Sequence, residues 1–346
     1  MRKFLMAGAA LAVAVSISAG AAAQERLVVA HYGGVWGKTL ETCMFETFTK
    51  ATGIVVTPEP GVSTANKAKI LQQKGNPAID IVFIDGGISE LALADGTLAV
   101  LDPKKIPNLA NVIDEGVYKR KDGTVYSVSA GYYAVGIAYN TKEVKGTPSS
   151  WWDLWNKEYE GKITMPSPTN AAGVPLFLHW NRLLGGNNAN FDPATAKVKD
   201  LKVANYFDAS GQGEAALQSG EAIIAAHYAS AAWGLADKGL PIAWVPPKEG
   251  ASSSDIRMHI VEGTKKRDAA EKFINHSLTP EVAKCMTEVL YVAPMVKGVQ
   301  LSDKAKSRLP YGANGSMKNL VVFNWDEINQ VRSSVVENWN KRVIAK

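Results

Sequence analysis

The chain has only two cysteines in 346 residues, Cys43 and Cys285. Neither belongs to a CxxC pair or a metal-ligand spacing, which argues against a redox pair, a catalytic thiol or a zinc site. Enzyme signatures are missing too: there is no G-x-S-x-G, no H-E-x-x-H, no Walker loop and no G-x-G-x-x-G. His31, His179, His227, His259 and His276 stand in unrelated contexts, so no activated nucleophile is visible and no enzyme activity is expected. No cofactor and no metal is expected either. The excess of positive over negative charge is small: the net charge is +5, and the densest basic run, Lys265-Lys266-Arg267, reads as a solvated turn. Nucleic acid is not an expected partner. After the N-terminal region, no apolar run reaches membrane-spanning length.

The N-terminus carries a positive start, Met1-Arg2-Lys3, then a small-residue apolar run over 4–19 and Ala21-Ala22-Ala23-Gln24. That is the order of a secretory signal peptide with an A-x-A cleavage site. Residues 1–23 are therefore expected to be removed and the mature protein to work outside the cytoplasm. No cysteine follows the apolar run to take a lipid. The remaining length exceeds one ordinary core and suggests two lobes.

The first third alternates strand and helix. Leu27-Val28-Val29-Ala30 reads as a strand, 36–52 as a helix stopped by Gly53, Ile54-Val55-Val56 as a strand, 63–74 as a helix and 80–84 as a buried strand. This pattern predicts an α/β fold with a largely parallel sheet. Ligand sites in such sheets lie beyond the C-terminal strand ends. Three loops fall there: His31-Tyr32-Gly33-Gly34, the turn 60–64 and Asp85-Gly86-Gly87. Further on, 126–140 is apolar and β-prone. Helices are expected over 174–184, 213–219, 268–275, 280–290 and 326–343, and strands over 162–165, 222–226 and 242–245.

The most informative stretch runs from Ser150 to Ile163, with three Trp in five residues (Trp151, Trp152 and Trp155). It reads as a short amphipathic helix capped by Ser150, stopped by Gly161 and feeding a strand. Its order, S-W-x-D-L-W-x-x-E-Y-x-G-K-I, resembles the start of the second lobe in periplasmic solute-binding proteins of the polyamine and iron group, which serve ABC importers. Phe45 to Ile54, Pro246-Pro247-Lys248-Glu249-Gly250 and Ala269 to Asn275 resemble the same family, and the likeness covers nearly the whole mature chain. The resemblance implies a two-lobed type II binding-protein fold with the ligand between the lobes. The division expected from it is lobe 1 over 24–131 and 251–320, lobe 2 over 132–250, and a C-terminal helix over 321–346 that returns to lobe 2. It also implies a small-molecule solute, an inner-membrane ABC permease as partner, a monomer, and closure at a hinge near 131–134 and 250–255. Both cysteines fall in helices assigned to lobe 1, close enough to bridge.

The solute turns on pocket residues. Polyamine binders of this family place acids after the strand that follows E-Y-x-G. Here the sequence is Ser167-Pro168-Thr169-Asn170. A polyamine site needs several carboxylates, whereas the candidates here are mostly hydroxyls and amides. The candidate ligand-binding residues are Tyr32, Trp36, Ser63, Thr64, Asp85, Gly86, Ser167, Thr169, Asn170, Tyr228, Ser253, Asp255 and Asp326, with Arg257 as a possible anion partner. In this reading the aromatics cover the apolar part of the solute, Thr169 and Ser253 bond its polar end, and Asp255 pairs an amino group. The set favours a zwitterion or anion, such as an amino-acid or opine-like conjugate, a phosphonate or a phosphorylated molecule. Polyamines stand second. Ferric iron stands third, because Tyr132 and Tyr133 on one strand point to opposite faces.

Overall fold

The computed structural model describes residues 24–310 and 320–345. The expected signal segment 1–23 lies outside them. The strands are β1 (Arg26–Tyr32), β2 (Val55–Gly61), β3 (Ile81–Asp85), β4 (Val117–Lys119), β5 (Val125–Asn140), β6 (Ile163–Pro166), β7 (Asn205–Phe207), β8 (Ile224–Tyr228), β9 (Ile242–Val245), β10 (Ala251–Ile260) and β11 (Leu320–Val321). Eight of them form one path in the order β2-β1-β3-β10-β5-β8-β6-β7, with β4 and β9 pairing β5 and β11 pairing β10 beside it. At one end β1 pairs in parallel with β2 and β3. At the other, β6 pairs in parallel with β7 and β8. Two parallel groups thus flank the antiparallel pair β5 and β10.

β5 explains the connection. Its 16 residues are buried throughout except at the two ends, as expected for a strand covered on both faces. Its first half pairs with β10 over 128–135, and its second half pairs with β8 and β9. β11 joins β10 at Ala251 and Ser252. Three chain segments therefore cross between the groups at one level.

The helical run after β1 is built as its spacing predicts. Leu40, Met44, Phe45 and Phe48 are buried, and Gly53 closes the run in a left-handed conformation at φ +76°. A π-type turn, Glu41–Phe45, lies in its middle. Cys43 in that turn is disulfide-bonded to Cys285 in the helix Pro280–Leu290, with a Cα–Cα distance of 5.7 Å.

The Trp-rich segment differs from the expected amphipathic helix. It forms two short 3₁₀ turns, Trp151–Trp155 and Lys157–Tyr159. Ser150 caps the first turn as expected, accepting from the Trp152 amide at 3.2 Å. Asn156 then turns extended, and its side chain starts the second turn by accepting from the Glu158 amide. The indoles also fix the turn from outside. Trp151 Nε1 donates to Gly250 O and Trp155 Nε1 to Lys197 O, and both rings meet Trp180 edge-on.

The C-terminal helix Trp325–Arg342 lays Trp339 against Phe177 and Tyr206. Asn338 bonds Thr195 at 2.7 Å. Its first turns touch the other strand group, where Asn329 donates to Gly87 O at 2.7 Å. The helix is therefore tied to both groups.

Candidate functional site

A cavity of about 140 Å³ lies where the strand ends of the two groups face each other. From the β1 side come Tyr32, Gly33, Gly34 and Trp36. The ends of β2 and β3 supply Gly61, Val62, Ser63 and Asp85, and the central strands give Tyr133 and Ile256. The opposite wall is Asn170 and Ala171 after β6, Ala209, Ser210 and Gly211 after β7, and Tyr228 at the end of β8.

Asp85 is the only carboxylate among these lining residues, and none of them is Lys, Arg or His. Burial pushes its carboxyl up to about 6, while the hydroxyls of Ser63 and then Tyr133 pull it back. Ser63 Oγ donates to Asp85 Oδ2 and accepts from the Asp85 amide at 3.0 Å. The phenols of Tyr32, Tyr133 and Tyr228 are raised well above their ordinary value, first by burial and next by the Asp85 charge. They stay neutral. Tyr32 Oη lies beside Ser63 and Asp85 but makes no hydrogen bond among the described residues.

The rest of the lining offers backbone donors. The helices Ser63–Gln72 and Ser210–Ser219 start at the cavity. Their first-turn N–H groups have no intrahelical acceptor and carry the positive end of the helix dipole. Ala171 stands just before the helix Gly173–Leu183. The far wall is held by polar contacts. Tyr228 Oη donates to Asn170 Oδ1 at 2.7 Å, and Asn170 Nδ2 donates to Asp208 O at 3.0 Å. His227, buried and lowered to about 4 by that burial, bonds the Ser210 carbonyl at 3.2 Å. Its Nδ1 accepts from the Tyr228 amide at 2.8 Å. A neutral imidazole therefore ties the start of one helix to the end of β8.

Strand ends from the two groups meet across this small, partly open cavity and define a cleft between them. Comparison with known proteins agrees. Residues 76–331 match the family described as bacterial extracellular solute-binding protein. The chain belongs to this family. The spermidine/putrescine-binding periplasmic protein of Escherichia coli K12 is 25% identical over 99% of this chain and 98% of its own. The gamma-aminobutyric acid-binding protein of Pseudomonas aeruginosa is 24% identical over 82% of this chain and 81% of its own. Among solved structures, the binding protein AgtB from A. tumefaciens R10, in complex with agropinic acid, superimposes with a TM-score of 0.78 at 21% identity. It covers 93% of this chain and 99% of that one. The fold is the two-lobed α/β fold of the periplasmic binding proteins, and the two strand groups are its lobes.

In this solute-binding protein the residues expected from the sequence divide sharply. Tyr32, Trp36, Ser63, Asp85, Asn170 and Tyr228 line the cavity. Thr64 and Thr169 meet at the rim instead, where Thr64 Oγ1 donates to Thr169 O at 3.3 Å across the cleft. Ser167 turns away to bond Asp208 and the Thr169 amide. Asp326 is exposed in the first turn of the C-terminal helix. Gly86 lies behind the wall: a Cβ there would meet Arg257, Asp255 and Ser254.

The largest correction concerns Ser253, Asp255 and Arg257. β10 continues as a strand through these residues, so its side chains alternate. Ile256, opposite Asp85 in register, faces the cavity. Ser253 points the other way to Tyr132 and Val321 O. Asp255 Oδ1 instead accepts from Arg257 Nε at 2.9 Å, and Arg257 Nη1 reaches Glu90 at 2.6 Å. Both members of the Asp255–Arg257 pair are buried. Tyr133, Ile256 and the Ala209–Gly211 turn were missed. The opposed faces of Tyr132 and Tyr133 carried a usable signal, since one of two adjacent tyrosines on a cleft-spanning strand faces the cleft.

Proposed function

We propose that this solute-binding protein is the periplasmic capture component of an ABC importer, and that its solute is a small zwitterion with one amine and one acid group. The observation that carries the reading is the asymmetry of the cavity. A single buried carboxylate, Asp85, stands among aromatic rings on one side, and the far lobe contributes N–H and hydroxyl donors without a second carboxylate. An amine pairs with Asp85, and the acid group takes the N–H groups of the helix starts. The name of the gamma-aminobutyric acid-binding relative supports this charge pattern. The spermidine/putrescine-binding relative shares the fold, but several ammonium groups would face one carboxylate here. Ferric iron has less support, because only Tyr133 of the Tyr132–Tyr133 pair lines the cavity and burial keeps the lining phenols neutral.

In this proposal the signal segment 1–23 is removed on export. Lobe 1 spans 24–131 and 251–320, lobe 2 spans 132–250, and the segments 131–134 and 250–255 act as the hinge. The protein works as a monomer, binds without turnover and hands its solute to the permease. Calorimetry with γ-aminobutyrate, 2-aminoethylphosphonate and spermidine tests the reading. The zwitterions are expected to bind tighter than spermidine. Tight spermidine binding with no response to either zwitterion would overturn it. A thermal-shift screen gives the same ranking, since a ligand at a hundredfold excess over its Kd stabilises by ~2.7 kcal/mol.

A further inference from the structure

A cluster of charged and aromatic side chains joins the lobes outside the cavity. Asp237 ends the nine-residue helix Ala229–Asp237, which begins just after Tyr228 on the cavity wall. Its carboxylate has three partners. Arg308 Nη1 and Lys304 Nζ each reach Oδ1 at 2.7 Å, and Tyr291 Oη donates to Oδ2. Arg308 Nη1 also donates to Tyr291 Oη at 2.9 Å. The Arg308 guanidinium lies over the rings of Trp233 and Tyr291, 4.7 and 4.9 Å from their centroids. In the proposed division of lobes, Asp237 and Trp233 belong to lobe 2, and Tyr291, Lys304 and Arg308 to lobe 1. None of the five lines the cavity.

The backbone at Tyr291 is a second, independent observation. Among the described residues it is the only non-glycine with a positive φ, at +54°. A bulky residue in that conformation is strained and keeps it only where its surroundings demand it. Tyr291 closes the helix Pro280–Leu290, its N–H on Thr287 O at 2.9 Å, and the residue is fully buried. That helix is fastened to lobe 1 by the Cys43–Cys285 disulfide. Two residues further on, Ala293 pairs with Tyr132 in the proposed hinge. The strained residue therefore sends its phenol from hinge level into the other lobe.

A rotation at 131–134 and 250–255 displaces each contact in proportion to its distance from the axis. Asp237 stands roughly 13 Å along its helix from the cavity wall, at a rise of about 1.5 Å per residue. Opening then draws it away from Tyr291 and Arg308. The cluster is made in the same arrangement as the Thr64–Thr169 rim contact. Contacts made in one arrangement and lost in the other shift the balance between the two, and with it the apparent affinity for every solute.

We infer that the Asp237–Tyr291–Lys304–Arg308 cluster is a latch that favours the closed arrangement of the lobes and so raises solute affinity without touching the solute. The latch rests on the hinge proposed above, whatever the solute.

The test pairs small-angle scattering with calorimetry on the full mature chain, with γ-aminobutyrate, 2-aminoethylphosphonate and spermidine as probes. Asp237→Asn removes the charge that holds the two cations. Without solute, its radius of gyration is expected to exceed that of the wild type. The probe that binds the wild type tightest is expected to bind the variant at least about threefold weaker. Tyr291→Phe keeps the ring, is expected to fall between the two, and decides the matter if Asp237→Asn folds poorly. Equal radii and equal affinities overturn the latch, since the cluster is then a joint kept in both arrangements. A smaller radius or tighter binding in the variant overturns it as well. A wild-type radius that does not shrink with bound probe overturns the hinge, and the latch with it. If no probe binds the wild type, the zwitterion reading falls and the solute-free radii alone decide the latch.

Discussion

Asp85 and Asp255 are buried carboxylates on neighbouring strands, yet their companions give them different work. Asp85 faces the cavity with hydroxyls around it, and burial pushes its carboxyl up to about 6. A cationic solute needs the charged form. Its affinity is therefore expected to be full above about pH 7 and to fall as pH drops through 6, when Asp85 takes up a proton. Titration calorimetry between pH 5 and 8 checks this. Asp85→Asn should flatten the profile and weaken binding at neutral pH by roughly ten- to hundredfold, the loss of a charge-assisted contact of about 1.5–3 kcal/mol. Asp255 is bonded to Arg257 instead. Asp255→Asn strands part of a buried guanidinium, so denaturant unfolding should show a loss on the order of 3 kcal/mol. Solute affinity in that variant should change far less than in Asp85→Asn. The sequence exposes both aspartates but not their roles. From the sequence, Asp255 falls in the expected hinge segment 250–255, where side-chain direction is free. In a strand the two-residue period decides which residue reaches the cleft, and that period passes over Asp255 to select Ile256.

Helices whose apolar residues recur at helical spacing were legible: the run ending at Gly53, and Pro280–Leu290 with its matching bounds. The Trp-rich segment was legible as a capped turn feeding a strand but not as 3₁₀, because Asn156 recaps the chain after one turn. The turn at Ala209–Gly211 was missed because glycine and serine there read equally well as a plain loop. Only the sheet order brings it beside Asp85. The link between Cys43 and Cys285 joins two helical elements separated by 242 positions. Unfolding the unreduced protein should release no free thiol, and two titratable thiols would refute the link. Reduction should lower stability by about 2–4 kcal/mol, the typical range for a disulfide, measured as a shift in denaturant midpoint.

Across the whole molecule, the crossing strands are where the proposed hinge is expected to bend. Ser252 to Asp255 of β10 lie opposite Val135 to Tyr132 of β5, so the proposed hinge segments are paired neighbours. Opening then bends one short band of sheet and breaks the Thr64–Thr169 rim contact. Small-angle scattering is expected to show a smaller radius of gyration with saturating solute than without. An unchanged radius alongside measured binding would count against hinge closure. The sheet order also sets a timetable. β10 lies between β3 and β5, although it comes more than a hundred residues after either in the chain. A polypeptide that emerges N-terminus first therefore completes β6 to β8 while β3 and the first half of β5 still present bare edges, a state open to wrong pairing. Cys43 waits through the same interval without its partner. The late segment both fills the gap in the sheet and brings the second thiol, so a chain cut short before β10 would leave an open seam and an unpaired cysteine.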